Sequence, residues 1–192
     1  MKVSWAQLEA EVAECRRCRL CETRTNVVPG EGDPQARLMF IGEGPGRDED
    51  LQGRPFVGRS GELLTRMIRA IGLERENVYI CNVVKCRPPQ NRNPEPDEAE
   101  ACLNYLRAQV ALVKPRVVVL LGKVACQYTL REEISVTRDH GRWFERKGVW
   151  FMPTFHPSFL LRDPARKREA WEDFQKIRDK LADLEADAHD GA

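Results

Sequence analysis

The chain has 192 residues, 42% of them hydrophobic and 32% charged, and its aliphatic residues fall in short runs, which excludes a disordered chain and a fibre. At roughly 150 residues per domain, that length points to one core. Thirty-one Lys plus Arg against thirty Asp plus Glu leave a formal charge of +1, which by itself argues neither for nor against a polyanionic partner.

Ser4 with Gln7 three residues later forms a capping box, and Trp5, Leu8 and Val12 continue at helical spacing up to Cys15. The same segment carries Glu9, Glu11 and Glu14 where a signal peptide needs an unbroken apolar stretch, and no run approaches the ~20 apolar residues of a membrane span. A cytoplasmic protein without membrane contact is expected. RLMFIGE, residues 37–43, reads as a buried parallel strand running into the tight loop Gly-Glu-Gly-Pro-Gly. After the loop, Ser60 can cap a helix whose Leu63, Leu64, Met67, Ile68 and Ile71 form one stripe, stopped by Gly72. Residues 77–84, NVYICNVV, are the next strand.

KCRPPQNRNPEP holds four prolines and must be a loop; Pro96 and Asp97 then open a helix through Cys102, Leu106, Val110 and Val113 that stops near Pro115. RVVVLLG, residues 116–122, is a third buried strand, followed by a helix over 123–130 and a hairpin over 143–151 that leads into MPTFHPSFLLRDP. From Asp163 and Pro164 a last helix buries Trp171, Phe174, Ile177, Leu181 and Leu184. Residues 1–184 make one domain, and 185–192 form a frayed, disordered acidic tail. Strands alternating with helices predict an α/β fold, a parallel sheet covered on both faces. Residues 169–192 hold eight acids and three bases, so the tail carries −5 and the first 168 residues +6.

Seven cysteines without a secretory signal argue against a disulfide framework and for metal ligands or catalysts. Cys15 and Cys18 have two residues between them, Cys86 lies in the Pro-rich loop and Cys102 on the helix after it. Four thiolates suit zinc or an iron-sulfur cluster, and spacing does not choose. Cys21 repeats the interval but lacks the fourth cysteine and proline of the bacterial ferredoxin run. Cys81 and Cys126 read as small core residues. GEGPG is neither a dinucleotide fingerprint nor a Walker loop, and Glu43, Asp48, Glu49 and Asp50 around it would repel phosphate, so a base or sugar suits it better. Glu43, Asn82 and His156, each at or just beyond a strand end, can converge on one edge of a parallel sheet, where Phe56 supplies a stacking face.

GEGPGRDED, GRPFVG, CNVVKCRPPQNRNP and FHPSFLLR, in that order, resemble the motifs of the family-four, iron-sulfur uracil-DNA glycosylases, over roughly residues 13 to 165. The resemblance implies a three-layer sandwich with a central four-stranded parallel sheet, and a monomeric repair enzyme that acts on uracil in double- or single-stranded DNA. It implies a 4Fe-4S cluster on Cys15, Cys18, Cys86 and Cys102; Cys21, Cys81 and Cys126 fall outside the shared pattern. The covalently trapping relatives carry an extra Lys-Arg-Arg-Ile-His loop, which is absent from this chain.

Implied site residues follow. Glu43, Gly44, Pro45, Glu49, Phe56, Asn82 and His156 hold the base, with Phe56 stacking, Asn82 reading O4 and N3-H, and Glu49 walling off the thymine methyl group. His156, with loop N–H groups near Gly44, meets the charge on the departing base. The commonest glycosylase motif has an aspartate where this chain has Gly44, so Glu43 is the candidate to position water. Leu160 or Leu161 fills the gap in the DNA, while Arg87, Arg162, Arg166, Lys167 and Arg168 meet phosphates. Two other readings account for the cysteines without catalysis: an iron-sulfur electron carrier, marked by reversible reduction, and a zinc-stapled DNA-binding module.

Overall fold

The computed structural model describes residues 4–190, and the side chains of residues 4–187. Helix α1, Trp5–Ala13, starts where the capping box puts it: Ser4 Oγ accepts from the Gln7 N–H at 3.3 Å, and Gln7 Oε1 accepts from the Ser4 N–H at 3.0 Å. The centre is one sheet of β1 (Glu31–Gly32), β2 (Leu38–Gly42), β3 (Tyr79–Asn82), β4 (Val117–Leu121), β5 (Phe144–Arg146) and β6 (Val149–Thr154), ordered β1-β3-β2-β4-β6-β5. The inner strands β3, β2, β4 and β6 pair in parallel, and β1 and β5 add antiparallel edges. The expected four-stranded parallel sheet is thus corrected to six strands of mixed direction. The two additions differ in origin. β1 is two residues long and has no apolar pattern, while Lys147 and Gly148, at φ 52° and 77°, turn β5 back along β6 as a tight hairpin does.

The remaining helices are α2 (Arg47–Gln52), α3 (Arg59–Ala70), α4 (Pro96–Val113), α5 (Lys123–Leu130), α6 (Val136–Asp139), α7 (Pro157–Arg162) and α8 (Lys167–Asp190). Strand residues alternate between the faces of the sheet. Met39, Ile41, Cys81, Val118 and Leu120 pack with Leu8 and Val12 of α1, Leu103 and Leu106 of α4, and Cys126 of α5. Leu38, Phe40, Ile80, Val117 and Val119 pack with Leu64 and Ile68 of α3 and Phe174 and Ile177 of α8. Three layers result, both sheet faces being covered, as all-buried parallel strands require. Cys81 and Cys126 are fully buried among apolar neighbours.

Several boundaries and one stripe differ from expectation. Helix α3 begins at Arg59 with Gly58 as N-cap, ahead of Ser60. Trp171 is 36% exposed. Ala170, one residue earlier, takes the core position in register with Phe174, Ile177 and Leu184, so the tryptophan lies off the stripe. The last helix continues past Leu184 to Asp190, and Glu185 within it pairs with Arg37 at 2.7 Å; residues 191–192 of the expected tail lie outside the described residues. No described helix is long and apolar enough to cross a membrane.

For function, register matters most. Gly42 pairs with Asn82 and Leu121 with Thr154, so the four parallel strands finish at one edge. The chain runs from β2 to β3 on one side and then to β4 on the other, the switch in strand order beside which open α/β sheets bind ligands.

Candidate active site

A cleft of about 540 Å³ opens at that edge. It is lined from the Gly loop by Glu43, Gly44, Pro45 and Gly46, from α2 by Glu49, from the following loop by Phe56, from β3 by Asn82, and from the start of α7 by His156. All seven expected base-pocket residues therefore meet in one place. Pro88, Asn91 and Arg92 of the Pro-rich loop, with Lys123 and Arg162, also line it.

Asn82 is 2% exposed, and its Oδ1 is buried without a hydrogen-bond partner. An unpaired buried carbonyl costs ~1–3 kcal/mol, so an atom left this way invites a donor from a ligand. Lys85, buried beside it, donates to the Asn82 carbonyl oxygen at 2.5 Å and to Gln109 Oε1 at 2.6 Å, fixing the strand end. Gly42 is required where it stands: a Cβ there would lie 2.4 Å from Asn82 Oδ1 and 2.6 Å from Phe56 Cζ.

His156 is the N-cap of α7, and its ring lies 5.5 Å from that of Phe56. The Ser158 N–H donates to His156 Nδ1 at 3.1 Å, with Ser158 Oγ 2.8 Å from the same nitrogen. Nδ1 is therefore the acceptor, and the neutral ring carries its proton on Nε2. Burial, and then the positive charge of Arg162, lower the imidazole to about 4, so the ring is neutral at pH 7. Burial pushes the Glu43 carboxyl up from its ordinary value. Within the Gly44-Pro45-Gly46 turn, proline has no N–H and the Gly46 N–H donates to Glu49 Oε2 at 3.1 Å, leaving Gly44 to present an amide.

Glu49 does more than line the cleft. Its Oε1 accepts from the N–H groups of Val57 and Gly58, both at 2.9 Å, tying the Gly loop to the Phe56 loop. The structure places Leu160 in the core, 1% exposed beside Leu63 and Phe155, so it is not free to enter DNA; Leu161 is partly exposed. Arg162 is exposed at the cleft. Arg87 is bound to Asn91 Oδ1 at 2.7 Å outside the cleft lining, while Arg166, just before α8, and Arg168, within it, pair with Glu169 and Glu172 of that helix.

A second, small cavity lies on the other side of the Pro-rich loop, lined by Cys15, Cys18, Cys86 and Cys102 together with Cys21, Arg24, Lys85 and Tyr105. Arg24 Nη1 stands 3.1 Å from Cys86 Sγ. Burial pushes the Cys86 thiol up to about 11 and raises those of Cys18 and Cys102. Among the described residues, no three His, Cys, Asp or Glu side chains stand close enough to hold a single metal ion. Five soft thiols, Cys21 among them, border the space with the cationic side chains of Arg17, Arg24 and Lys85, a donor chemistry that zinc and an iron-sulfur cluster both accept.

A family model described as the uracil DNA glycosylase superfamily matches residues 29–175. Across 92% of its length the chain is 45% identical to the type-4 uracil-DNA glycosylase of Sulfurisphaera tokodaii, covering 84% of that protein. It is 48% identical to the type-4 enzyme of Thermotoga maritima over 87% of this chain and 89% of that one. The chain belongs to the type-4 uracil-DNA glycosylases. With a type-5 uracil-DNA glycosylase of Pyrobaculum aerophilum it shares 31% identity over 78% of its length.

Sequence reasoning missed three groups around this type-4 site. Ser158 fixes the histidine tautomer; its position two residues past the N-cap was the available signal. Lys85 is 1% exposed, and a lysine beside a strand gives no sign of burial. Glu98, wholly buried, accepts from Arg92 at 2.7 and 2.8 Å and from Arg19 at 2.8 Å, joining the cleft wall to the cysteine loop. A glutamate at the third position of a Pro-started helix signals a capping box, and only the fold brings Arg19 to it.

Proposed function

We propose that this chain flips uracil out of DNA and hydrolyses its N-glycosidic bond, releasing the free base and leaving an abasic site, a step of base excision repair. The observation that carries the reading is the unpaired Asn82 Oδ1, buried next to Phe56 and His156 in a cleft roomy enough for an extruded base. A uracil edge offers an N3-H donor and an O4 acceptor. Asn82 supplies the complementary pair, and cytosine, with a donor at C4 and an acceptor at N3, mismatches both.

The bond breaks toward an oxocarbenium-like sugar and a uracil anion. His156 meets the anion as a hydrogen-bond donor through Nε2–H, and the Gly44 N–H assists. Neutrality helps here. A ring at about 4 supplies its hydrogen bond in one protonation state throughout the physiological range. Glu43, partly buried in the cleft wall and raised by burial, positions the attacking water. Leu161 enters the gap left by the base, and Arg162 holds a phosphate at the cleft mouth. The proposal takes one copy of the chain and one extruded nucleotide, from duplex or single strand. Release of free uracil from a uracil-containing oligonucleotide tests the whole reading; an oligonucleotide that keeps its uracil after incubation with folded protein rejects it.

Cys15, Cys18, Cys86 and Cys102 are proposed to hold a 4Fe-4S cluster. Bound there, it supplies a cross-link rather than chemistry at the base, since the hydrolysis needs no electron. The supporting geometry is the span it would clamp: the loop after α1, the Pro-rich loop and α4, already joined by Arg19, Glu98 and Arg92. Anaerobically purified protein should contain about four iron and four sulfide per chain, the composition of that cluster type. Cys86→Ala should lower that content and the melting temperature together. Stoichiometric zinc, or an unchanged melting temperature in the variant, would contradict the assignment.

DNA affinity should fall steeply with salt, because each neutralised phosphate releases counterions. Arg162→Ala should reduce the slope of log Kd against log salt by about one while leaving the identity of the excised base unchanged. An unaltered slope removes Arg162 from the phosphate contacts.

A further inference from the structure

Phe56 has a backbone conformation that a phenylalanine rarely adopts, φ +52°. β-Carbon crowding disfavours this left-handed region for a bulky residue, so the surroundings must hold it. They do so from both sides. On the carbonyl side, Arg75 donates through Nη1 to Phe56 O at 3.0 Å and to Thr65 Oγ1 at 3.2 Å, and through Nη2 to Pro55 O at 2.8 Å. On the amide side, Glu49 binds the N–H groups of the two residues that follow. Gly61 lets the helix approach: a Cβ there would fall 1.9 Å from Phe56 O.

Arg75 is itself anchored. Its guanidinium pairs with Glu31 of the edge strand β1, which also binds Arg54 at 2.8 Å, and its side chain is 14% exposed. Neither Glu31 nor Arg75 lines the cleft. A planar fork reaching two consecutive carbonyls and a carboxylate is an arrangement that a lysine's single ammonium cannot reproduce.

We infer that Arg75, held by Glu31, is a positioning residue for base recognition: it locks the Phe56 peptide in its left-handed conformation and so sets the plane of the ring against which the extruded base stacks. This rests on the reading of Phe56 as the stacking face. The remote edge strand thereby takes part in substrate selection without touching substrate, because the strained turn relaxes when its carbonyls are released and the ring leaves the base plane.

The test measures equilibrium binding of duplexes carrying 2′-fluoroarabinouridine, a non-cleavable uracil nucleotide, or thymidine at the same position, with melting temperatures recorded in parallel. Arg75→Gln should reduce the preference for the uracil duplex about tenfold, within the range that base–aromatic stacking contributes, and Arg75→Lys should recover part of it. Phe56→Ala should lose at least as much, and adding Arg75→Gln to it should cost no further preference, because the two act through one ring. Glu31→Gln, which keeps the guanidinium and loosens its anchor, should give a smaller loss with the same non-additivity and serves if Arg75→Gln does not fold. A lowered melting temperature with full preference retained, or losses that multiply in the double variant, overturns the inference. If Phe56→Ala itself keeps the preference, the stacking role fails and the positioning role falls with it; if Phe56→Ala loses preference and Arg75→Gln and Glu31→Gln do not, only the positioning role fails.

Discussion

Replacing His156 by alanine should lower the single-turnover cleavage rate by ~10²–10³ while leaving affinity for uracil-containing DNA nearly unchanged, as removal of a group that binds only transition-state charge does. The local geometry makes the expectation specific. Because the Ser158 N–H points at Nδ1, the ring's one proton sits on Nε2. Burial, followed by Arg162, lowers the imidazole to about 4 from an ordinary 6.5. The unfolded chain therefore takes up a proton first as pH falls, so the histidine's contribution to stability is complete above about 6.5 and is lost as pH falls toward 4. Cleavage by the parent should show no step near the ordinary histidine value. It should decline on the acid side as Glu43, raised by burial, takes up its proton. Glu43→Gln should remove that acid limb along with much of the rate. A fall in DNA affinity matching the fall in rate would place His156 in ground-state binding instead.

Asn82→Asp should change what is recognised as well as how fast it is cut. The amide offers uracil one acceptor and one donor, and an ionised carboxylate offers only acceptors, so uracil cleavage should drop by about 10–100-fold, the cost of one unmatched buried polar group. A carboxyl group next to Phe56 on a buried strand end is driven toward its protonated form. Its O–H can then face cytosine N3 and its C=O the exocyclic amine. Slow cytosine release should appear, strongest at low pH. Matched uracil and cytosine oligonucleotides under single-turnover conditions decide this. Loss of uracil cleavage with no cytosine release at any pH would mean that Asn82 does not read the base edge.

Much of this could be read before any coordinates, and the reasons differ by element. The buried parallel strands announce themselves because a strand covered on both faces must be apolar throughout. Helix α5 falls at the expected bounds, with Gly122 before its first residue and Arg131, in the left-handed conformation, after its last. β1 has two residues and no pattern, and it exists because β3 offers it an edge. The convergence of Glu43, Asn82 and His156 follows from strand ends, which sequence locates. What supports them does not. Arg75 binds Phe56 over a separation of 19, Arg19 meets Glu98 over one of 79, and neither contact leaves a periodic trace. Leu160 illustrates the same limit: FHPSFLLR gives two adjacent leucines, and only packing against Leu63 and Phe155 shows which one is committed to the core.

Gly42 has one more consequence. The Asn82 carboxamide and the Phe56 ring both rest directly on its main chain, with no side chain between. A base pressed against them meets two groups backed by a strand that is hydrogen-bonded on both sides. A pocket with compliant walls admits an oversized guest at the cost of a small retreat. Here a retreat toward the strand would press on the sheet, so the fit of the base is gauged in part by the sheet itself.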